Sequence, residues 1–481
     1  MKLKTVVALI AACACGTALA ATQLNNVQLP KSMQKTALQK QQLQKQIIAM
    51  QQAKLKKEKN TPTSSEVAMV NDHFPYHVVT TTPYMGLRTA YDASDLLTNA
   101  PSMNEDLFLL QQRQILENAF AVRHLPYGER PLVQLSGQLA AQALGGSGFN
   151  GANSDINLTG GELDINAVVS RWAAGFMSIS YDDAAPQTGD REANSRLYLQ
   201  RGFLTLGNLN SFPVYLSVGQ MYVPFGSYSS SMVTTALTQS LARIDERAVV
   251  LGISKGIFYG QVYGYKGDSY VSNSSAINSG GVNAGLTGDC RYLKFYDLGA
   301  GFVDNIADSQ GMQNTGAGGG TTTGSGTFSG FGQNGTEALQ NRVPAGDIHG
   351  KVSMGPVDLM GEYIKSLRAF NVTDLAFNSI GAKPQAMHTE LDYHDNFWNK
   401  PFTFGVSYGE TWQALGLNLP KDSYAAFVKT SLVKNTIEGL EFRHDTNYAQ
   451  GDTAGGNAGT SGVSVSGRSR NMVTAQIGVY F

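Results

Sequence analysis

The sequence predicts an all-β transmembrane barrel, antiparallel and of about 16 strands, with a short N-terminal periplasmic segment of helix or coiled coil. Charged residues make up 15% of the chain, well below the ~25% of an average soluble domain. The mean hydropathy is -0.17, which fits strands that are apolar on one face only and argues against a bundle of membrane helices. Apolar residues recur with a period of two along most of the chain, and their connections are alternately short and long.

Residues 1–20 predict a secretory signal peptide. Lys2 and Lys4 precede an apolar core, and small residues at Ala18 and Ala20 form a cleavage site. A lipoprotein interpretation stays open, because Cys13 follows a short lipobox-like run. Export leads us to expect the periplasm, the outer membrane or beyond. Removal of the signal leaves Cys290 as the only cysteine, so we expect no internal disulfide and a passive thiol.

Residues 21–60 predict a basic, Gln- and Lys-rich helical arm. This range holds eight lysines and one glutamate. Leu43, Ile47 and Met50 fit three successive heptad positions, which indicates a weak coiled coil and a possible oligomer through this helix. Two interpretations stay open, a solvated periplasmic arm or contact with anionic lipid or cell wall. We expect no nucleic-acid partner for an exported chain.

Residues 61–131 predict a linker followed by a capped helix. The run 61–65 is rich in Thr, Ser and Pro and breaks the arm. Ser102-Met-Asn-Glu105 has the spacing of a capping box and predicts a helix over about 106–122. Phe108, Ile115, Ala119 and Val122 can share one face of that helix. A position in the barrel lumen or mouth and simple packing in the periplasm both stay open.

Residues 132–481 predict the barrel. The closing run 473–481 alternates apolar and polar residues and ends in Phe481, which is typical of the last strand of an outer-membrane barrel and of recognition by the barrel assembly machinery. The connection 355–356 is short, whereas 311–335 and 451–467 are long and polar, as expected of periplasmic turns and external loops. The predicted strands are 163–169, 173–181, 197–206, 214–222, 248–254, 257–265, 292–302, 348–354, 357–365, 387–393, 402–408, 424–432, 437–443 and 473–481.

A barrel of this size leaves a water-filled lumen unless a segment of the chain plugs it. The sequence before residue 132 has no room for a plug domain. We therefore expect only a loop or the capped helix to constrict the pore.

Two groups of polar residues are candidates for lumen chemistry. His388, Glu390, Asp392 and His394 share one strand face and suggest a metal site, although we favour ordinary lumen polarity. A second group would form a basic interior patch that either steers anions or pairs into structural ladders; its members are Arg191, Arg196, Arg201, Arg243 and Arg247. No nucleophile with its base, no phosphate loop and no zinc spacing stands out, so we predict neither an enzyme nor a cofactor.

Several stretches resemble the LbtU-type siderophore porins. They are Gly219-Gln-Met-Tyr-Val-Pro-Phe-Gly-Ser-Tyr228, Leu237-Thr-Gln, Asp245-Glu-Arg-Ala248, Ser102-Met-Asn-Glu-Asp-Leu, Leu110-Gln-Gln-Arg-Gln and the arm. The resemblance implies a barrel of about 16 strands with external loops and a periplasmic tail, which takes up an iron-siderophore chelate without a plug domain. It assigns no ligand-contacting residues, and the run 242–245 departs from the more acidic pattern of that family.

Three functions are therefore open. The first is an outer-membrane channel or receptor for a ferric siderophore or a similar small polar solute. The second is a general or anion-preferring diffusion porin. The third is a surface adhesin or structural protein that uses its external loops.

Overall fold

The computed structural model describes residues 77–80, 103–122, 131–183, 195–269, 271, 276–290, 293–313, 331, 339–433, 435–457 and 465–480. The signal peptide, the basic arm with its coiled coil and the linker 61–65 lie outside these residues and stay predictions. Among the helices in the described ranges, none combines the length and the apolar character needed to cross a membrane.

Sixteen antiparallel strands form a closed barrel, because the last strand pairs with the first. This confirms the predicted fold class. The barrel strands are β2 (Leu132–Gly148), β3 (Gly151–Val168), β4 (Ala173–Asp183), β5 (Ser195–Asn208), β6 (Phe212–Tyr222), β7 (Asp245–Lys255), β8 (Phe258–Tyr265), β9 (Ser279–Gly288), β10 (Phe295–Val303), β11 (Ala345–Met354), β12 (Val357–Ser366), β15 (Gln385–Phe397), β16 (Lys400–Trp412), β17 (Asp422–Thr430), β18 (Thr436–Thr446) and β20 (Ser469–Tyr480).

The remaining described elements are short or lie off the barrel wall. They are β1 (His77–Thr80), β13 (Ala376–Phe377), β14 (Ile380–Gly381), β19 (Ala454–Gly455), the helices α1 (Glu105–Val122), α2 (Leu237–Ala242) and α3 (Gln310–Gln313), and a 3-10 helix, η1 (Ile306–Asp308). Strands β13, β14 and β19 form a small separate sheet between two long connections.

The barrel wall is apolar outside and mixed inside, as the period-two pattern requires. On β5, Leu204 and Leu206 point outward and are 65% and 53% exposed, whereas Arg201, Phe203 and Thr205 point inward and are buried. The same alternation occurs on the other strands. Exposed aliphatic side chains all around a closed wall form a surface suited to lipid.

Strand β9 is a barrel strand that the sequence pattern did not reveal. Val282, Ala284 and Leu286 point outward in alternation, but glycine and polar residues occupy most other positions. Strand formation there follows from hydrogen bonds to both neighbours, β8 and β10, and not from local preference.

The connections at the two ends of the barrel differ in length. At one end the turns are short, over 169–172, 209–211, 256–257, 289–294, 355–356, 398–399 and 431–435. At the other end the connections are 184–194, 223–244, 266–278, 304–344, 367–384, 413–421 and 447–468, together with a tight turn between β2 and β3. The predicted asymmetry is confirmed, with 311–335 and 451–467 both falling at the long-connection end.

An unpredicted strand, β1, completes the wall at the seam. It pairs in parallel with residues 132–135 of β2. The closing strand β20 pairs with residues 138–147 of β2 and leaves residues 132–135 free to pair with β1. Because α1 lies between β1 and β2 in the chain, these three elements form a parallel crossover.

Helix α1 occurs where the capping box predicts a helix, but its details differ. It begins at Glu105, and Ser102 lies outside the described residues. The Glu105 carboxylate accepts a hydrogen bond from Arg201 of β5 at 2.8 Å, so it binds the barrel wall. The predicted apolar face was wrong, since Ile115 is 43% exposed whereas Leu107 and Leu110 are buried. Polar residues of the helix have partners on the barrel wall. The helix face that packs on the wall is therefore partly polar.

Candidate functional site

The lumen is narrowed by α1 and by one connection. Helix α1 lies on the inner face of β3 to β8, which we call the helix-bearing wall. The connection 223–244 between β6 and β7 includes α2, and we call it the inner loop. It lies against β11, β12 and β15 to β18, the loop-bearing wall. A loop and the capped helix were the two constrictions that the sequence left possible.

Carboxylates of successive strands hold the first half of the inner loop through its backbone. Glu362 Oε1 on β12 accepts hydrogen bonds from the Ser227 and Tyr228 amides at 2.7 and 3.2 Å. Asp347 Oδ1 on β11 accepts one from the Gly226 amide at 3.2 Å. Backbone donors make this contact independent of the loop side chains at those positions.

The second half of the loop continues the same pattern. Glu390 on β15 accepts from the Ser231 amide at 2.5 Å and from the Ser230 hydroxyl at 2.6 Å. Glu441 on β18 accepts from the Val233 and Thr234 amides at 2.6 and 3.1 Å. These are charge-assisted hydrogen bonds, which are roughly twice as strong as neutral ones.

One wall cation also contacts the loop backbone. Lys429 of β17 donates from Nζ to the Met232 carbonyl at 2.9 Å. On β16 the Ser407 hydroxyl lies 3.1 Å from the Met232 sulfur. The loop therefore meets a carboxylate or another polar group on each strand that it crosses.

The β10–β11 connection supports the end of the inner loop. The Ser309 hydroxyl donates to the Leu241 carbonyl at 2.8 Å, and the Gln310 amide donates to the Arg243 carbonyl at 2.8 Å. Ile306 and Met312 are fully buried in the same apolar cluster as Leu241. The lumen at this level is filled by packed side chains.

Asp308 fixes the start of that supporting segment. Its carboxylate accepts from the Ser269 amide at 2.9 Å and from the Ser279 hydroxyl at 3.2 Å. Burial raises the pKa of the Asp308 carboxyl to about 6, although the hydrogen bonds from Ser269 and Ser279 lower it.

Arg201 is the centre of the helix-bearing wall. Its guanidinium bonds to Glu105 of α1 at 2.8 Å, contacts Glu162 of β3, and lies 3.9 Å from Asp164. It also lies 5.5 Å from the ring centre of Phe176. Burial raises the pKa of Glu105 well above its ordinary value, and the nearby Arg201 lowers it.

Packing, hydrogen bonds to the β5–β6 turn and one terminal ion pair add to the contacts of α1. Leu107 and Leu110 pack with Tyr215 and Tyr259 on the inner wall. Near the short turns, Glu117 lies 3.4 Å from Arg171, whose side chain is 58% exposed. Together these contacts anchor the helix along its length.

Among the described residues, two members of the predicted basic interior patch lie near one another, since the Arg201 and Arg243 guanidiniums both contact the Tyr222 ring. Arg191 and the side chain of Arg196 lie outside the described residues, and Arg247 points outward and is exposed. Arg243 lies 4.4 Å from the ring centre of Tyr222 and donates to Gln310 at 3.0 Å.

Acidic groups dominate the buried charges of the described chain. Thirteen buried Asp or Glu side chains compare with two buried arginines, Arg113 and Arg201. Alternation along the strands could have revealed the inward carboxylates. Their use as acceptors for loop amides could not be read from the sequence.

The four residues of the predicted metal face do not gather around one point, because the two histidines contact different carboxylates and Asp392 joins neither pair. His388 Nε2 lies 3.0 Å from Glu390, which holds the inner loop. His394 lies 3.4 Å from Asp358 of the neighbouring strand. Both buried oxygens of Asp392 lack a hydrogen-bond partner. These contacts agree with the interpretation of ordinary lumen polarity.

Sequence reasoning missed another group. Asp347 and His349 of β11 and Glu362 of β12 are buried, and one donor atom from each lies within 4.8 Å of the others. Within the described ranges this is the one such group of three His, Cys, Asp or Glu residues. Strand register places His349 directly opposite Glu362. The signal was the Asp-x-His spacing on one strand face, but the third member depends on pairing.

Relatives of the chain carry a common family name, although no protein-family model matches it. A UPF0422 protein of Legionella pneumophila (strain Philadelphia 1) is 38% identical over 420 residues, which cover 84% of this chain and 76% of the relative. A UPF0422 protein of Coxiella burnetii is 37% identical over 406 residues, which cover 83% of each.

Solved structures with a similar outline are distant in sequence. The outer-membrane channel DcaP of Acinetobacter baumannii aligns with a TM-score of 0.46 at 12% identity, over 73% of this chain and 97% of the channel. Salmonella typhi OmpF aligns with a TM-score of 0.46 at 14% identity, over 73% and 97%.

Proposed function

Because the chain belongs to the UPF0422 family and folds as a closed 16-stranded barrel, we propose that it is an outer-membrane channel for small polar solutes. The apolar outer face, the polar groups within and the unequal connections at the two ends support this location. In this proposal the short turns and the N-terminal arm face the periplasm. The protein moves its solute and does not transform it.

The double constriction of the lumen is the observation that carries the proposal. Helix α1 and the inner loop occupy the interior at two walls, and each is fixed by buried charged groups. Buried carboxylates are costly to desolvate, so their repeated use to fix both elements supports a functional role for the constriction. We therefore propose a selective channel whose solute passes between these two elements or displaces one of them.

The solute proposed is a ferric siderophore or a similar polar iron chelate. The stretches that resemble LbtU-type siderophore porins coincide with the constriction. One of them, 219–228, enters the inner loop, the next begins α2, and the third opens β7 where the loop ends. The resemblance is thus concentrated at the place where a channel selects its solute.

Uptake experiments test the choice of solute. We expect a deletion strain to lose saturable uptake of one labelled ferric chelate from a panel, and plasmid-borne protein to restore it. Uptake of all solutes in order of size would instead indicate a general diffusion porin. Absence of any conductance in planar bilayers would favour an adhesin.

Ion selectivity in planar bilayers tests the pore itself. The excess of buried carboxylates predicts a preference for cations over anions in a potassium chloride gradient. Reversal potentials should therefore have the sign of cation selectivity. An anion-selective pore would contradict this and restore the anion-preferring alternative.

A further inference from the structure

We propose that Asp347, His349 and Glu362 bind a divalent transition-metal ion that fastens the inner loop to the barrel wall. The three side chains face the lumen on paired strands and are buried, with donor atoms within 4.8 Å of one another. Metal bonds of about 2.0–2.2 Å place donors roughly 3–4 Å apart, so a bound ion would replace the hydrogen bond between His349 and Asp347 and draw the three donors around itself.

An unused carboxylate oxygen points to a ligand at this position. Glu362 is 6% exposed, and its Oε1 accepts the Ser227 and Tyr228 amides. Its other oxygen, Oε2, is buried and has no well-formed hydrogen bond, although the buried Thr238 hydroxyl interacts with this carboxylate. The hydroxyl of Tyr228 on the loop is likewise buried without a hydrogen-bond partner. A buried carboxylate oxygen costs free energy when it has no partner, and a bound cation supplies that partner.

The charges of the site also favour a cation. Two carboxylates lie beside one imidazole, with His349 Nδ1 only 2.6 Å from Asp347 Oδ2. Within the described ranges, neither Asp347 nor Glu362 forms an ion pair with a lysine or arginine. The single imidazole can offset only one of the two buried carboxylates, whereas a divalent ion offsets both.

Strand β10 leaves room for the donors. Gly301 and Gly299 lie opposite Asp347 and His349 in the strand register. A Cβ at Gly301 would lie 2.1 Å from Asp347 Oδ1, and one at Gly299 would lie 2.3 Å from His349 Nε2. Any side chain at these two positions would displace the donor groups.

The donor set favours a transition metal over calcium or magnesium. Imidazole with carboxylates suits zinc and iron, whereas calcium and magnesium prefer oxygen donors alone. Three protein donors leave a fourth position for water. Because Glu362 bonds the loop through Oε1 and the ion through Oε2, the metal couples directly to the constriction.

Zinc binding to the full chain in detergent tests the site. We expect about one zinc ion per chain after dialysis, measured by elemental analysis, and loss of that ion in His349→Gln. Glu362→Gln keeps an acceptor for the loop amides, so the variant should fold. It should bind zinc at least tenfold more weakly than the wild type does. His394→Gln removes a histidine beside another carboxylate, Asp358, six residues along β15 from the position opposite Glu362, and should leave zinc binding unchanged.

Hydrogen exchange separates a metal that holds the loop from one bound elsewhere. Zinc should slow exchange of the amides at 226–228 in the wild type and have no effect in Glu362→Gln. Wild-type protein without stoichiometric zinc would overturn the proposal. Equal loss in His394→Gln and His349→Gln, or zinc binding without slower exchange at 226–228, would also overturn it.

Discussion

The two walls hold their lumen elements by different chemistry. On the helix-bearing wall, one guanidinium, that of Arg201, is shared among several carboxylates from the helix and the wall. On the loop-bearing wall, separate carboxylates such as Glu390 and Glu441 each accept backbone amides. The buried charged contacts of the helix therefore converge on one residue, whereas those of the loop are distributed over several strands.

This difference predicts unequal tolerance to substitution and mobility. Losing Arg201 leaves Glu105, Glu162 and Asp164 together without their shared cation. Losing one carboxylate beneath the loop leaves the other anchoring groups in place. We expect the helix to come off its wall as a unit and the loop to loosen locally.

Substitution at Arg201 should have the largest effect. Arg201→Met should weaken helix docking by about 3–5 kcal/mol, because it leaves buried carboxylates unpaired. Faster hydrogen exchange throughout α1 and higher single-channel conductance would report the release. Arg171→Met is the matched control, since its exposed pair with Glu117 is worth about 1 kcal/mol or less. Equal effects of the two substitutions would contradict the central role of Arg201.

A change in pH should act on the end of the inner loop that packs against the segment around Asp308. Burial raises the pKa of Asp308 to about 6, so its stabilising contribution is complete below about pH 4 and is lost as pH rises through about 6. That change corresponds to about 3 kcal/mol. Hydrogen exchange at 237–243 should therefore speed up across this range in the wild type.

Asp308→Asn supplies the control for the pH prediction. The variant has no carboxyl to titrate at this position, so exchange at 237–243 should lose this pH response after correction for intrinsic rates. An unchanged response in the variant would assign the effect to another group, such as the neighbouring Asp268.

Removing charge beneath the loop should have the smallest effect. Glu390→Gln with Glu441→Gln keeps acceptor oxygens but loses their charge, which should cost about 1 kcal/mol at each site. Faster exchange confined to 231–234, with α1 unchanged, is the expected result. Glu410→Gln is the control, since that carboxylate pairs with Lys421. Exchange that spreads to α1 would show that the walls are coupled.

Much of the wall could be predicted because it depends on local alternation. A strand with one apolar face shows a period of two whatever its neighbours are, which is why β6 and β12 were found near their observed bounds. Strand β9 escaped because glycine and polar residues dilute the pattern. Strand β1 escaped because four residues carry too little pattern to recognise.

The interior could not be predicted because it depends on distant pairings. Ser227 and Glu362 are 135 residues apart in the chain, and Glu105 and Arg201 are 96 apart. Period and propensity describe neighbours only, so they located α1 but not its buried face. For the same reason the sequence did not reveal the group of Asp347, His349 and Glu362, because Glu362 joins it only through the register with the next strand.

The parallel crossover made by β1, α1 and β2 sets how far the helix can travel. Its C-terminal end at Val122 is joined to Leu132 by ten peptide links, which span roughly 35 Å at full extension. Its other end leads back to β1 on the same seam. A helix displaced by solute thus stays tethered at both ends, and its return is an intramolecular step with a high effective concentration. The helix therefore rebinds its wall at a rate that does not depend on how many copies of the protein the membrane holds.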